Sequence, residues 1–197
     1  MKPILIDVDP THGRHSVPES KWTDRRLAEH LRQRGMQPLK YNIVYDAAEG
    51  IITFPLYNGA AKQVGYQAYR PDMTDKKIND PKLSRYFTYL PSGVDGVFGL
   101  ECIDETRRDI YIVEGVFKAG ILHRLGYNAI AVLTNHPKRL KPWFKILRAR
   151  FNLIAIGDND NAGKKLVTTL GNGFQSPKDL DEMTDQEIVN LLENNKI

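Results

Sequence analysis

The sequence predicts an α/β protein: a mainly parallel sheet preceded by a smaller mixed α+β lobe. Three observations predict it. From Arg108 onward, short apolar runs alternate with helical segments, from "DIYIVEG" and "VFKAGILHRLG" to "NLIAIGDND" and "NAGKKLVTTLG". Alternation of this kind belongs to parallel strands joined by right-handed helical crossovers. Between Tyr41 and Tyr69 the period shortens to that of strands separated by turns, an antiparallel meander. Two of the later strands end in acids, where parallel sheets carry their ligand sites.

Taken in order, the elements begin after a loop or arm, "DPTHGRHSVPES", rich in turn formers. "SKWTDRRLAEHLRQRG" follows as a helix, with Ser20 as N-cap and Gly35 as its stop. Trp22, Leu27 and Leu31 share one face of it, and Arg25, Arg26, Arg32 and Arg34 the other. "YNIVYD", "GIITFPLYN" and "KQVGYQAYR" are strands, and "DMTDKKINDPKLS" is a polar loop. "RYFTYLPSGVDGVFGL" adds a strand whose Tyr86, Phe87 and Tyr89 are either core or a stacking surface for bases. Then come three strand–helix pairs: "DIYIVEG" with a helix stopped by Gly126, "YNAIAVL" with a helix broken or begun at Pro142, and "NLIAIGDND" with "NAGKKLVTTLG". The expected organisation is an arm over 1–19, a mixed lobe over 20–104, the parallel-sheet domain over 105–183 and a helical tail over 184–197, with one groove between lobe and domain.

Composition excludes several classes. The chain of 197 residues is 41% hydrophobic with a net charge of +4, enough for a core and mildly suited to a polyanionic partner. Its one cysteine, Cys102, excludes a disulfide framework and a four-ligand zinc ribbon, and suits a reducing cytoplasm. No apolar run approaches the roughly 20 residues that cross a bilayer, so no membrane association is expected. "MKPILIDVDP" meets Asp7 and Asp9 too early for a signal peptide.

The chemistry concentrates at strand ends. Glu114 ends the first parallel strand, and Asp158 and Asp160 end the third, 44 residues on. Clustered carboxylates repel and raise one another's pKa; the usual remedy is a divalent cation, and an oxygen-only set points to Mg2+ or Mn2+ rather than zinc. Lys164 and Lys165 open the next helix, whose N-terminus also favours anions. The site reads as a metal plus a phosphate. A D-x-D can also be a turn whose Asp or Asn only starts a helix. A Walker A loop fails, because Asp158 and Lys165 stand where glycine and Ser/Thr belong, and "EGVFKAG" is not a dinucleotide fingerprint.

"IVEGVFKAGILHRLG…AIAVL" followed by "LIAIGDNDNAGKK" resembles the Toprim domain, the Rossmann-like metal-binding module of topoisomerases, bacterial-type primases and some nucleases. The E-G pair is Glu114–Gly115 and the D-x-D is Asp158–Asn159–Asp160. The upstream lobe is similar to the one that precedes Toprim in DNA primases, especially the primase half of bacteriophage primase-helicases, and "SPKDLDEM" resembles a further acidic primase motif. The resemblance implies Glu114 as general base and metal ligand, Asp158 and Asp160 as metal ligands, and Asp179 and Asp181 as an acidic pair for a second metal. It places Arg70 in the nucleotide path, with Lys82 and Arg85 near a basic site. Three features depart from it. Lys118 stands where the family often has an aspartate, Thr88 stands where many primases have lysine, and the sequence provides neither a zinc module nor a helicase after Ile197.

"KRLKPWFKILRAR" carries six cations and no acid. With Leu140, Phe144 and Leu147 on one helical face, Lys138, Lys141, Lys145 and Arg148 form either a solvated surface or a phosphate-tracking stripe. Trp143 reads as core before base-stacker, the His12 and His15 pair as loop histidines, and Cys102 as no catalytic thiol.

The function implied is a Mg2+-dependent DNA primase-type nucleotidyltransferase. It would make short RNA primers from ribonucleoside triphosphates on single-stranded DNA, with a replicative helicase or other replication protein supplied in trans. A Toprim nuclease is the alternative enzyme. A catalytically reduced Toprim protein that binds replication proteins or nucleic acid is the alternative without chemistry.

Overall fold

The computed structural model describes residues 21–74, 79–134 and 137–195. The arm, His12, His15 and Ser20 lie outside the described residues.

The chain forms two four-stranded sheets. The first is antiparallel, in the order β1 (Val44–Asp46), β2 (Ile51–Tyr57), β3 (Gln63–Tyr69), β4 (Tyr86–Tyr89). It is flanked by α1 (Asp24–Gln33). The second is parallel and contains β5 (Asp109–Val113), β6 (Asn128–Ala131), β7 (Asn152–Gly157) and β8 (Gly173–Gln175), in the order β6-β5-β7-β8. Helices α2 (Val116–Arg124), α3 (Lys141–Leu147) and α4 (Asn161–Leu170) connect its strands, and α5 (Asp185–Asn194) follows. The α/β class, the meander and the parallel alternation are as the sequence predicts.

Alternation along the parallel strands divides the core in two. Tyr111, Val113, Ala129, Ala131, Ile154 and Ile156 face one cluster; Ile110, Ile112, Ile130, Leu153 and Ala155 face another. The first cluster is completed by Leu27 and Leu31 of α1, Ile52 and Phe54 of β2, α2, and Ile188 and Leu192 of α5. The second is closed by Leu140, Phe144, Leu166 and Leu170 from the α3 and α4 side. A parallel sheet covered on both faces explains why its strands read as continuous apolar runs.

The two sheets are spliced by Val97 and Phe98. Val97 exchanges backbone hydrogen bonds with Tyr57 (2.8 and 2.9 Å), and Phe98 does so with Ala131 (3.0 Å each). Nearby, the buried His123 lies between the Tyr41 hydroxyl (2.8 Å from Nδ1) and the Ala129 carbonyl (2.9 Å from Nε2). A carbonyl only accepts, so Nε2 carries the proton and Tyr41 donates to Nδ1. Burial lowers the pKa of this histidine to about 4 and keeps it neutral.

Several details differ from the sequence reading. Thr23, not Ser20, caps α1, its hydroxyl accepting from the Arg26 N–H at 3.2 Å. The basic run yields only the seven-residue α3, begun at Lys141–Pro142 after a short 3-10 turn over Pro137–Leu140. Proline suits a first turn because its missing N–H has no partner there anyway. Strand β8 has no counterpart in the sequence reading; three residues carry too little periodicity to register.

Candidate active site

The parallel sheet switches direction at β5. One connection leads to β6 on one side and the next to β7 on the other, so a crevice opens at the carboxyl ends of β5 and β7. A cavity of about 670 Å3 lies there, with Glu114, Lys118, Asp158, Asp179 and Asp181 among its lining residues. The antiparallel lobe supplies its other wall, through Arg34, Gln67, Arg85 and Tyr86.

Backbone geometry holds the acids in place. Gly157 and Gly163 are packed so closely that a Cβ on Gly157 would lie 2.3 Å from the Gly163 carbonyl oxygen. Only glycines allow the end of β7 and the first turn of α4 to touch in this way. A Cβ on Gly115 would meet nothing within 4 Å, so this glycine leaves space open beside Glu114. Leu133, with φ of +51°, is a non-glycine in the left-handed region at the rim, and its N–H bonds the Glu114 carbonyl at 3.1 Å.

Glu114 is half-buried and its Oε1 has no hydrogen-bond partner. Burial first, then the charges of Asp158 and Asp160, push its pKa up to about 7. Asp160 also does what the simpler turn reading requires. It is the N-cap of α4, accepting from the Gly163 N–H at 2.8 Å. Asp179 and Asp181 flank the buried Leu180, so the core seats this segment and leaves both carboxylates at the cavity.

Lys118 comes from the first turn of α2 and lies among the acids. Its ammonium forms a close ion pair with Asp158 and reaches Asp179 at 3.2 Å. Burial pulls its pKa down, but the two carboxylates outweigh burial and the net shift is upward. Among the described residues no three His, Cys, Asp or Glu side chains converge as a metal-binding group. Glu114, Asp158 and Asp160, the acids expected to hold Mg2+ or Mn2+, lie near enough for the charges of the two aspartates to act on Glu114, with Lys118 paired to Asp158.

The cationic wall is partly a surprise. Arg85 lies with its Cζ 5.8 Å from the ring centres of both Tyr69 and Tyr86, and its buried Nε has no hydrogen-bond partner. Arg34, read from the sequence as part of a polar helix face, lines the cavity instead. Its Cζ stands 4.0 Å from the centre of the Phe117 ring, and it donates to Asp181 at 2.9 Å. It sits beyond the last turn of α1, and Gly35 (φ +78°) turns the chain there. The only sequence signal was an arginine beside a helix-stopping glycine. Arg70, by contrast, is not among the lining residues; its guanidinium reaches the Ser84 carbonyl at 3.4 Å. Lys82, Lys164 and Lys165 are exposed and also outside the lining.

The basic stripe is divided. Arg148 donates to the Leu170 carbonyl at the end of α4, Arg139 pairs with Asp95 at 3.3 Å, and Arg150 with Glu105 at 2.7 Å. Lys138, Lys141 and Lys145 have no ion-pair partner among the described residues. Trp143 is part-buried, 5.8 Å from the Phe144 ring centre and against Gly59. Burial pushes the Cys102 thiol up to about 12, which leaves it unreactive at neutral pH.

No family model matches the sequence, and no curated protein matches it. Solved structures do. The primase fragment of the bacteriophage T7 primase-helicase is 17% identical, with a TM-score of 0.63 over 82% of this chain and 72% of that one. The chain has the fold of primase catalytic cores. The Aquifex aeolicus primase, comprising its zinc-binding and RNA polymerase domains, matches at 19% identity and a TM-score of 0.59, over 88% of this chain. A DnaG primase catalytic domain bound to ssDNA matches at 18% identity and a TM-score of 0.55, over 85% of this chain. The chain spans 57% of the length of each of these last two proteins. Among the described residues no helix is long and apolar enough to cross a membrane.

Proposed function

We propose that this chain is a DNA primase-type nucleotidyltransferase core that joins ribonucleotides on single-stranded DNA. One observation carries the reading. In a primase fold, a single cavity sets Glu114, with no partner at Oε1, opposite Arg34, Arg85 and the ring of Tyr86. Cations suit phosphates, and an aromatic face suits a base. Glu114, with its pKa raised to about 7, is tuned to accept a proton near neutral pH, as from an attacking 3′-hydroxyl.

Lys138, Lys141 and Lys145 then serve as the phosphate-tracking part of the basic run. A DnaG catalytic domain has been solved with ssDNA, and T7 primase domains with an RNA/DNA hybrid and a DNA polymerase, which supports DNA and a replication protein as partners here.

Lys118 supports a second reading, a reduced primase-fold protein that binds nucleic acid without synthesis, because it neutralises acids that chemistry would use. Incorporation of labelled ribonucleotides on single-stranded DNA, with Mg2+ or Mn2+ and beside a nuclease assay, separates these outcomes. Synthesis lost in Glu114→Gln supports the polymerase. DNA binding without synthesis supports the reduced protein, and cleavage overturns both in favour of a nuclease.

A further inference from the structure

Four carboxylates line the cavity, and protein cations already hold three of them. Arg34 takes Asp181 at 2.9 Å. Lys118 takes Asp158 in close contact and Asp179 at 3.2 Å. Glu114 is left with an unpartnered Oε1. The Lys118 side chain is only 13% exposed, so α2 carries this charge into the cavity rather than along its rim. Its two partners come from distant segments, the end of β7 and the stretch after β8, and the ammonium ties them together.

We infer that Lys118 is the resident counter-cation of this carboxylate cluster, standing between Asp158 and Asp179 so that the wild-type chain binds divalent cations there only weakly. A hard divalent ion needs carboxylate oxygens at roughly 2.0–2.6 Å. Lys118 Nζ already lies within hydrogen-bond reach of one oxygen on each of these two aspartates. An ion using those oxygens would collide with the ammonium and be repelled by it. Removing the charge frees the two aspartates and leaves them mutually repulsive, which is the condition a divalent ion relieves. The inference stands apart from the polymerase reading, since it concerns cation binding alone.

The experiment is a Mn2+ titration of the full chain by calorimetry, with electron paramagnetic resonance counting free Mn2+. Wild type, Lys118→Met, Lys118→Gln and the surface control Lys165→Met are compared. Wild type and the control should bind with millimolar affinity or weaker. Both Lys118 variants should bind at least tenfold tighter, and Mn2+ should raise their melting temperatures more than that of wild type. Lys118→Gln removes the charge while keeping a polar end and serves where Lys118→Met does not fold. Micromolar binding by wild type overturns the inference without any variant. Weak binding by all the chains overturns it too, because Lys118 then blocks nothing. Failure of ribonucleotide incorporation leaves it untouched.

Discussion

Arg34 and Asp181 are 147 residues apart in sequence and 2.9 Å apart in space. The pair joins the antiparallel lobe to the segment that follows the parallel sheet, and the same guanidinium lies over the Phe117 ring of α2. One side chain thus fixes the geometry of the cavity from both sides.

Arg34→Ala should therefore lower both stability and ligand binding. Loss of a part-buried ion pair and a cation–π contact is expected to cost about 1–3 kcal/mol in denaturant unfolding. Arg34→Lys should recover only part of this, since lysine lacks the planar fork. A change under about 0.5 kcal/mol for Arg34→Ala would place the residue on an inert surface.

Glu114 makes a pH-dependent contribution. Its folded pKa, about 7, lies above the ordinary 4.5, so the fold favours the protonated acid. That stabilisation is complete below about 4.5 and is lost as pH rises through about 7. Glu114→Gln, neutral throughout, should match wild type near pH 4.5 and melt higher near pH 8, by an amount on the order of 1–2 kcal/mol once solvent screening is discounted. Melting curves at the two pH values decide it; an advantage that does not grow with pH contradicts the raised pKa.

Asp160 separates capping from charge. Asp160→Ala should cost about 1 kcal/mol through loss of the α4 N-cap, and Asp160→Asn much less, because asparagine still accepts from the Gly163 N–H. Equal losses in the two variants would show that the carboxylate charge matters more than the cap.

The basic run should divide by role. Changing Lys138, Lys141 and Lys145 together to Gln should weaken single-stranded DNA binding and lower its salt slope by about 2, at roughly 0.7 per lost phosphate contact. Arg148→Ala should leave the slope alone and lower the melting temperature, because Arg148 is engaged at the Leu170 carbonyl. A lost slope in Arg148→Ala would reverse this division.

Much of the architecture was legible in the sequence because it rests on local periodicity. Apolar strands, glycine stops at Gly35 and Gly126 and the acids at two strand ends follow from spacing alone, and crossover rules bring Glu114 and Asp158 to one edge. Three-residue β8 escaped because it is too short to carry a period. What only the tertiary structure decided is which cation meets which acid. In sequence Lys118 is a departure from an expected acid, Arg34 one of several arginines on a polar helix, and Arg148 one of six cations in a run. Their charges are identical, and nothing local distinguishes them. Packing does: α2 seats Lys118 between Asp158 and Asp179, the turn at Gly35 directs Arg34 onto Phe117 and Asp181, and α4 ends where Arg148 can donate to it. Ion pairing is set by distances of a few ångströms between segments far apart in the chain, and those distances exist only once both faces of the parallel sheet are covered.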